Sequence, residues 1–148
     1  MKLKAEEIIS SQRDELGDSV PLTTFRLLRI LGMEEIFADS SGPALYMVGK
    51  SVANQLPIEN VADFLGLIES MRIGKAEIID KSEQQVIIRV YECMTCSGLP
   101  DIGELICDFE AGLIAGGLEV ILDTAVKTTQ THSWTAGDKF CQFETNIF

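Results

Sequence analysis

At 148 residues, 46% hydrophobic and 24% charged, the chain has the makeup of one ordinary globular domain able to bury a core. Twenty-three acidic against twelve basic side chains give a net charge of −11, which argues against nucleic-acid and anionic-membrane partners, because both repel such a protein and no stripe of Lys and Arg offsets it. Met1-Lys2-Leu3-Lys4 has no apolar run behind it and no stretch is apolar for the ~20 residues of a bilayer span, so a cytoplasmic chain with reduced thiols is expected.

Glu6 to Leu16 is polar and suits a short or frayed helix, broken by Gly17-Asp18-Ser19 and Pro21. From Phe25, the apolar positions Leu28, Ile30, Leu31, Ile36 and Phe37 predict a helix that Gly32 weakens. Ser40-Ser41-Gly42-Pro43 stops it and starts another, since proline fits a first helical turn. Leu45, Met47, Val48, Val52 and Leu56 carry that next helix, with Gly49 allowing close packing. Asn60 is an N-cap for a helix to about Met71. Ala76, Ile78 and Ile79 then form one strand, and the β-branched run Val86 to Tyr91 a second.

Glu92 to Pro100 reads as a loop, and Ile102 to Asp123 as the longest helix, with Leu105, Phe109, Leu113, Gly116, Val120 and Ile121 on one face. Its Ala111, Gly112, Ala115 and Gly116 form a flank where another backbone can approach closely. Val126 to Trp134 and Phe140 to Ile147 are expected as strands around the turn Thr135 to Asp138. The expected fold is a single α+β domain over residues 1–148: N-terminal helices, then an antiparallel sheet with a long central helix.

All four cysteines lie in the second half. Cys93-x-x-Cys96 sits on the loop, Cys107 early in the long helix and Cys141 in the last strand. Two thiolates three positions apart can grip one ion, and tetrahedral zinc takes four such donors. Near a helix start, unpaired N–H groups favour a Cys107 thiolate. Cys141 is the first choice for the fourth ligand, and His132, the only histidine, the second. Depending on the turn, Cys141 faces either His132 or Trp134. Singly, Cys107 and Cys141 also suit core positions, and Cys93-x-x-Cys96 a redox pair. An iron–sulfur cluster uses the same four donors. Together, the cysteines point to zinc.

The run Cys107-Asp108-Phe109-Glu110-Ala111-Gly112-Leu113-Ile114-Ala115-Gly116-Gly117-Leu118-Glu119, followed by Gly137-Asp138-Lys139-Phe140-Cys141-Gln142-Phe143, resembles the 4-vinyl reductase domain family. The match extends over residues 86–146 and is densest from Val86 to Phe143. That family includes archaeal predicted hydrocarbon-binding proteins and the effector domains of bacterial phenol-responsive activators. The resemblance implies a mixed α/β fold shared with vesicle-tethering subunits, a homodimer, and a zinc site beside a pocket for a small apolar or aromatic molecule. In the phenol sensors the helix-start and hairpin cysteines are zinc ligands, matching Cys107 and Cys141. Their other two ligands, a glutamate and a cysteine, fall at Gln130 and Ser133, so Cys93 and Cys96 are the expected replacements.

No histidine–nucleophile pair and no phosphate loop stands out: Gly116-Gly117 lies inside a helix, and Glu110 and Glu119 read as solvated or paired. The leading expectation is therefore a ligand-binding or sensory domain for a small hydrophobic molecule, with Met33, Tyr46, Met47, Phe64 and Phe109 as candidate pocket walls. The alternatives are a tetrapyrrole vinyl-reductase or its accessory, for which no dinucleotide fingerprint is present, and a protein-interaction scaffold.

Overall fold

In strand Gln85–Tyr91, the β-branched residues Val86, Ile88 and Val90 alternate with more exposed neighbours. That period of two buries one face and fixes the strand at the centre of a sheet. In the computed structural model, which describes residues 2–148, this strand (β2) pairs antiparallel with β1, Lys75–Lys81, and with β4, Cys141–Ile147. Strand β3, Val126–His132, completes the order β1-β2-β4-β3. The helices are α1 (Ala5–Ile9), α2 (Leu22–Arg26), α3 (Met33–Phe37), α4 (Ser41–Ala53), α5 (Val61–Ser70) and α6 (Asp108–Leu122). A π-helical segment, Leu27–Gly32, joins α2 to α3 without a break in the helical run. The mixed fold agrees with the α+β expectation. Among the described residues, no helix is long and apolar enough to cross a membrane.

The central helix α6 lies between the sheet and α4. Ala111, Ile114, Ala115 and Leu118 pack on Val86, Ile88, Val90 and Phe143 of the sheet face. The flank of small residues meets α4, as its composition predicts. A Cβ on Gly112 would collide with the Tyr46 carbonyl oxygen, and one on Gly49 with that of Phe109. Backbone therefore runs against backbone. Phe64 of α5 closes the far end over Gly117. The Asn60 side chain caps α5 by accepting from the Asp63 N–H at 2.9 Å, as expected.

Several boundaries differ from the sequence reading: the first helix ends at Ile9, not near Leu16, and the others lie around the cysteines. The long helix starts at Asp108, not Ile102. Gly103, at φ +70°, turns the chain, and its N–H donates to Asp101 Oδ1 at 2.9 Å. The Ile102 and Glu104 N–H groups both donate to the Thr135 carbonyl, at 2.8 and 3.4 Å. The segment before Cys107 is thus tied to the hairpin and cannot wind into helix; apolar periodicity alone cannot register that distant tie. Similarly, β3 ends at His132 and β4 begins at Cys141, because Trp134–Ala136 form a 3₁₀ turn capped by Ser133. A bulge between Gln130 and His132 then sets His132 opposite Gln142. Cys141 faces neither His132 nor Trp134; on its other side it pairs with Val90.

Adding one methyl group at Gly112 is expected to force α4 off α6. Gly112→Ala should lose ~1–3 kcal/mol in denaturant unfolding, whereas Gly66→Ala, with nothing within 4 Å of the new Cβ, should be neutral or gain ~0.5–1 kcal/mol.

Candidate metal centre

Each sulfur owes its place to a different piece of local structure. Cys93 and Cys96 follow β2 on a tight turn in which the Ser97 N–H donates to the Cys93 carbonyl and the Leu99 N–H to that of Cys96, both at 3.0 Å. Gly98 makes this turn possible by adopting φ +84°. Cys107 is the N-cap residue of α6, its carbonyl accepting from the Ala111 N–H at 3.0 Å. Cys141 opens β4 on the face that α6 covers.

The four thiols converge. They are free, at most 2% exposed, and their sulfurs all lie within 4.8 Å of one another. A tetrahedral zinc with Zn–S bonds of ~2.3 Å needs sulfurs ~3.8 Å apart. Cys93–Cys107 at 3.8 Å and Cys107–Cys141 at 3.7 Å meet that spacing, and Cys96–Cys141 at 3.0 Å is the compressed edge. The donor set and its enclosure fit one four-coordinate cation. Hydrogen bonds from Cys107, Cys141 and Cys93 hold the Cys96 thiol far below its ordinary range. Cys107 is pushed well up by Cys141, Cys93 and Cys96, with burial adding to it. His132 is outside this group: its ring packs 5.4 Å from Phe140 and its Nδ1 lies 2.9 Å from the Thr131 hydroxyl.

A polar ring surrounds the sulfurs, and the sequence reading did not foresee most of it. Gln130 Oε1 accepts the Cys107 N–H at 3.0 Å, and Ser133, fully buried with its Oγ 2.8 Å from the Thr135 hydroxyl, is among the groups that hold the Cys96 thiol low. Both are thus at the site, supporting cysteines. Glu110, 2% exposed, accepts from the Thr95 hydroxyl and from the Cys93 thiol at 3.8 Å through Oε1. Burial pushes its carboxyl up, opposed by the charge of Arg29, whose Nη2 lies 3.5 Å from Glu110 Oε2. Arg29 also donates to the Ile106 carbonyl at 3.1 Å, and Arg26 donates to those of Met94 and Ser97 at 2.9 and 2.6 Å. Glu119 is paired as well, with Lys50 at 2.8 Å.

Comparison with known proteins places this arrangement. The 4-vinyl reductase domain matches residues 86–147, and an uncharacterized protein of Methanocaldococcus jannaschii is 34% identical over 134 residues, covering 90% of this chain and 82% of that one. The chain belongs to the 4-vinyl reductase domain family. Among solved structures, a vinyl-4-reductase family protein from M. jannaschii superposes with TM-score 0.70 at 23% identity, over 97% of this chain and 87% of that one. The phenol-responsive sensory domain of the transcription activator PoxR, with phenol, gives 0.62 at 7% identity, over 86% and 75%. A trafficking protein particle complex subunit 3 from Naegleria fowleri, covalently bound to palmitic acid, gives 0.64 at 13%, over 86% and 92%. The fold is thus the one that the resemblance implied.

In this member of the family three cavities border the helical run from α2 to α3. One of about 520 Å³ lies between Leu27, Ile30 and Leu31 and the segment Leu99 to Ile106. A second, of about 290 Å³, is walled by Phe25, Leu28, Met33, Phe37, Val48 and Phe109. The third, of about 310 Å³, is lined by Arg29, Glu34, Asp39, Glu104 and Asp108 among others. Of the expected pocket walls, Met33 and Phe109 line a cavity. Phe64 is core, Tyr46 packs against the core with its hydroxyl accepting the Thr128 N–H at 3.2 Å, and Met47 is exposed.

The Arg29–Glu110 pair is the costliest feature of the ring to break. Arg29→Met leaves a buried carboxylate uncompensated and is expected to lose ~3–5 kcal/mol of stability. Arg29→Met with Glu110→Gln should recover most of that in the same denaturant titration.

Proposed function

We propose that this 4-vinyl reductase domain binds a small apolar molecule in a cavity supported by a structural zinc held by Cys93, Cys96, Cys107 and Cys141. The observation carrying the metal half is the convergence of four free, buried sulfurs within 4.8 Å. Isolated buried thiols are common, but four at one point repel one another as thiolates unless a cation binds them. With all four positions taken by protein, such an ion is structural: it ties loop, helix start and hairpin together and leaves no open position for substrate. A set of free thiols also suits a reducing cytoplasm.

The ligand half rests on the cavities along α2–α3. The larger, about 520 Å³, is within the range for small-molecule sites, and its walls Leu27, Ile30, Leu31, Leu99, Ile102 and Ile106 are apolar. The ligands named for the two fold neighbours, phenol and palmitic acid, are of this chemical kind and support the reading. In such a domain the chain reports occupancy and does no chemistry on the ligand, so its partner is whatever reads its surface.

Protein purified without chelator is expected to carry one zinc per chain by elemental analysis. The cobalt-substituted form should show the intense visible absorption of a tetrahedral tetrathiolate, and Cys107→Ser should lose it. A metal-free wild type, or the colour of an iron–sulfur cluster, overturns the zinc reading. For the ligand half, the uncharged dye Nile red should brighten on binding, and Leu31→Asp should weaken it ~10-fold or more by placing a charge in the apolar wall. Equal dye binding by both overturns the cavity assignment.

We extend the proposal to a homodimer. Leu28, Phe37 and Val48 meet around one cavity while 64%, 42% and 48% exposed, an apolar surface that suits a second copy. Sedimentation should give twice the chain mass, and Leu28→Glu the monomer; a wild-type monomer at all concentrations removes this extension.

A further inference from the structure

The two arginines of the α2–π run bind the backbone at the places where the cysteines leave the chain. Arg26 Nε and Nη2 donate to the carbonyls of Met94 and Ser97, which bracket Cys96 within the Cys93-x-x-Cys96 turn. Arg29 Nη2 donates to the carbonyl of Ile106, the residue before Cys107, and faces Glu110, whose other oxygen contacts Cys93. One short stretch of helix thus holds both segments that supply three of the four sulfurs.

The same stretch has little else to hold it. Leu27, Leu28 and Leu31 are 54%, 64% and 60% exposed, and Arg29 is the sole buried residue of the π segment. An apolar face so poorly covered contributes little docking energy. Two polar atoms in this contact lack a hydrogen-bond partner, Arg29 Nε and Glu110 Oε2, so the Arg29–Glu110 contact depends on charge more than on hydrogen bonding. Charge is also what an ion here would change. A divalent cation with four thiolates carries a net charge of −2, and the Glu110 carboxylate lies beside it. Arg29 is the cation that faces this negative charge.

We infer that Arg26 and Arg29 are positioning residues of the metal centre, so that docking of the α2–π helix and retention of the ion are one coupled equilibrium. The inference rests on the zinc reading above. The ion strengthens the negative field that holds Arg29, and the docked arginines hold the backbone of the Cys93–Cys96 turn and of Ile106. Because the helix also forms a wall of all three cavities, whatever undocks it opens those cavities too. Linkage makes the effect reciprocal: the factor by which the ion favours docking is the factor by which docking favours the ion.

The test uses the full zinc-loaded chain and two readouts, ion transfer to a coloured chelator and amide hydrogen exchange of residues 22–37. Arg26→Met and the charge-neutral pair Arg29→Met with Glu110→Gln are expected to release zinc ~10-fold or more faster than wild type, the scale of supporting-shell losses at metal sites. Their cobalt forms should keep the tetrathiolate spectrum. In wild type, removing zinc should speed exchange across 22–37 by ~10-fold or more, with β2 and β4 still protected. Lys50→Met, which breaks the Lys50–Glu119 pair away from the sulfurs, should leave release unchanged. Wild-type release rates in folded Arg26→Met overturn the inference, as does equal acceleration in Lys50→Met, which would mean that release tracks overall stability. A wild type that takes up no ion overturns this inference and the zinc reading together. Normal zinc binding with unaltered release in the arginine variants overturns this inference alone.

Discussion

Helix α6 can lie between the sheet and α4 only because its residues are small where the two layers press on it. Gly112 and Gly116 let the α4 backbone reach contact distance, with Tyr46 and Lys50 against them, and Ala111 and Ala115 do the same toward the sheet. Everything at the candidate site is referred to that seat. The start of α6 fixes Cys107, its first turn fixes Glu110, and its sheet-facing side covers Cys141 and the buried row of β2. A bulkier helix would stand away from both layers, and the sulfurs of loop, helix and strand would no longer share one centre.

Local chemistry in the chain was readable where it acts locally. Alternation in Val86 to Tyr91, the Asn60 cap and the small-residue flank each follow from short-range geometry, and each is present in the fold. The four cysteines were readable as a group because soft donors in such number suggest a shared ion. What could not be read depends on contacts between distant parts of the chain. Glu110 looks like any helical surface acid until Arg29 is found beside it. The stretch Ile102 to Ile106 has helical periodicity, yet Thr135 claims its N–H groups. His132 looked like a ligand by its rarity and its place in the hairpin, and one bulge set it opposite Gln142.

The family comparison sharpens what is particular to this chain. At identities of 7–23% the solved neighbours share its fold, so that fold constrains shape far more than side-chain identity. Here Gln130 and Ser133 stand where the resemblance puts metal-binding groups, and both neighbour cysteines, Gln130 accepting the Cys107 N–H and Ser133 lying beside Cys96. Donation of the Cys107 N–H to an amide oxygen keeps a buried backbone group satisfied. Neither position contributes an atom to the cluster of four sulfurs.

The π segment between α2 and α3 has a geometric consequence of its own. A π turn accommodates an extra residue within an otherwise α-helical run, and each residue of an α-helix advances the azimuth by ~100°. Were the same residues Leu27–Gly32 wound at regular α pitch instead, the segment would sweep a larger angle with no change in its number of residues. Everything upstream would then rotate by about a quarter-turn about the helix axis, carrying Arg26 away from Met94 and Ser97 while leaving α3 in place. The irregularity thus acts as a phase adjuster, and the winding of this segment is what aims Arg26.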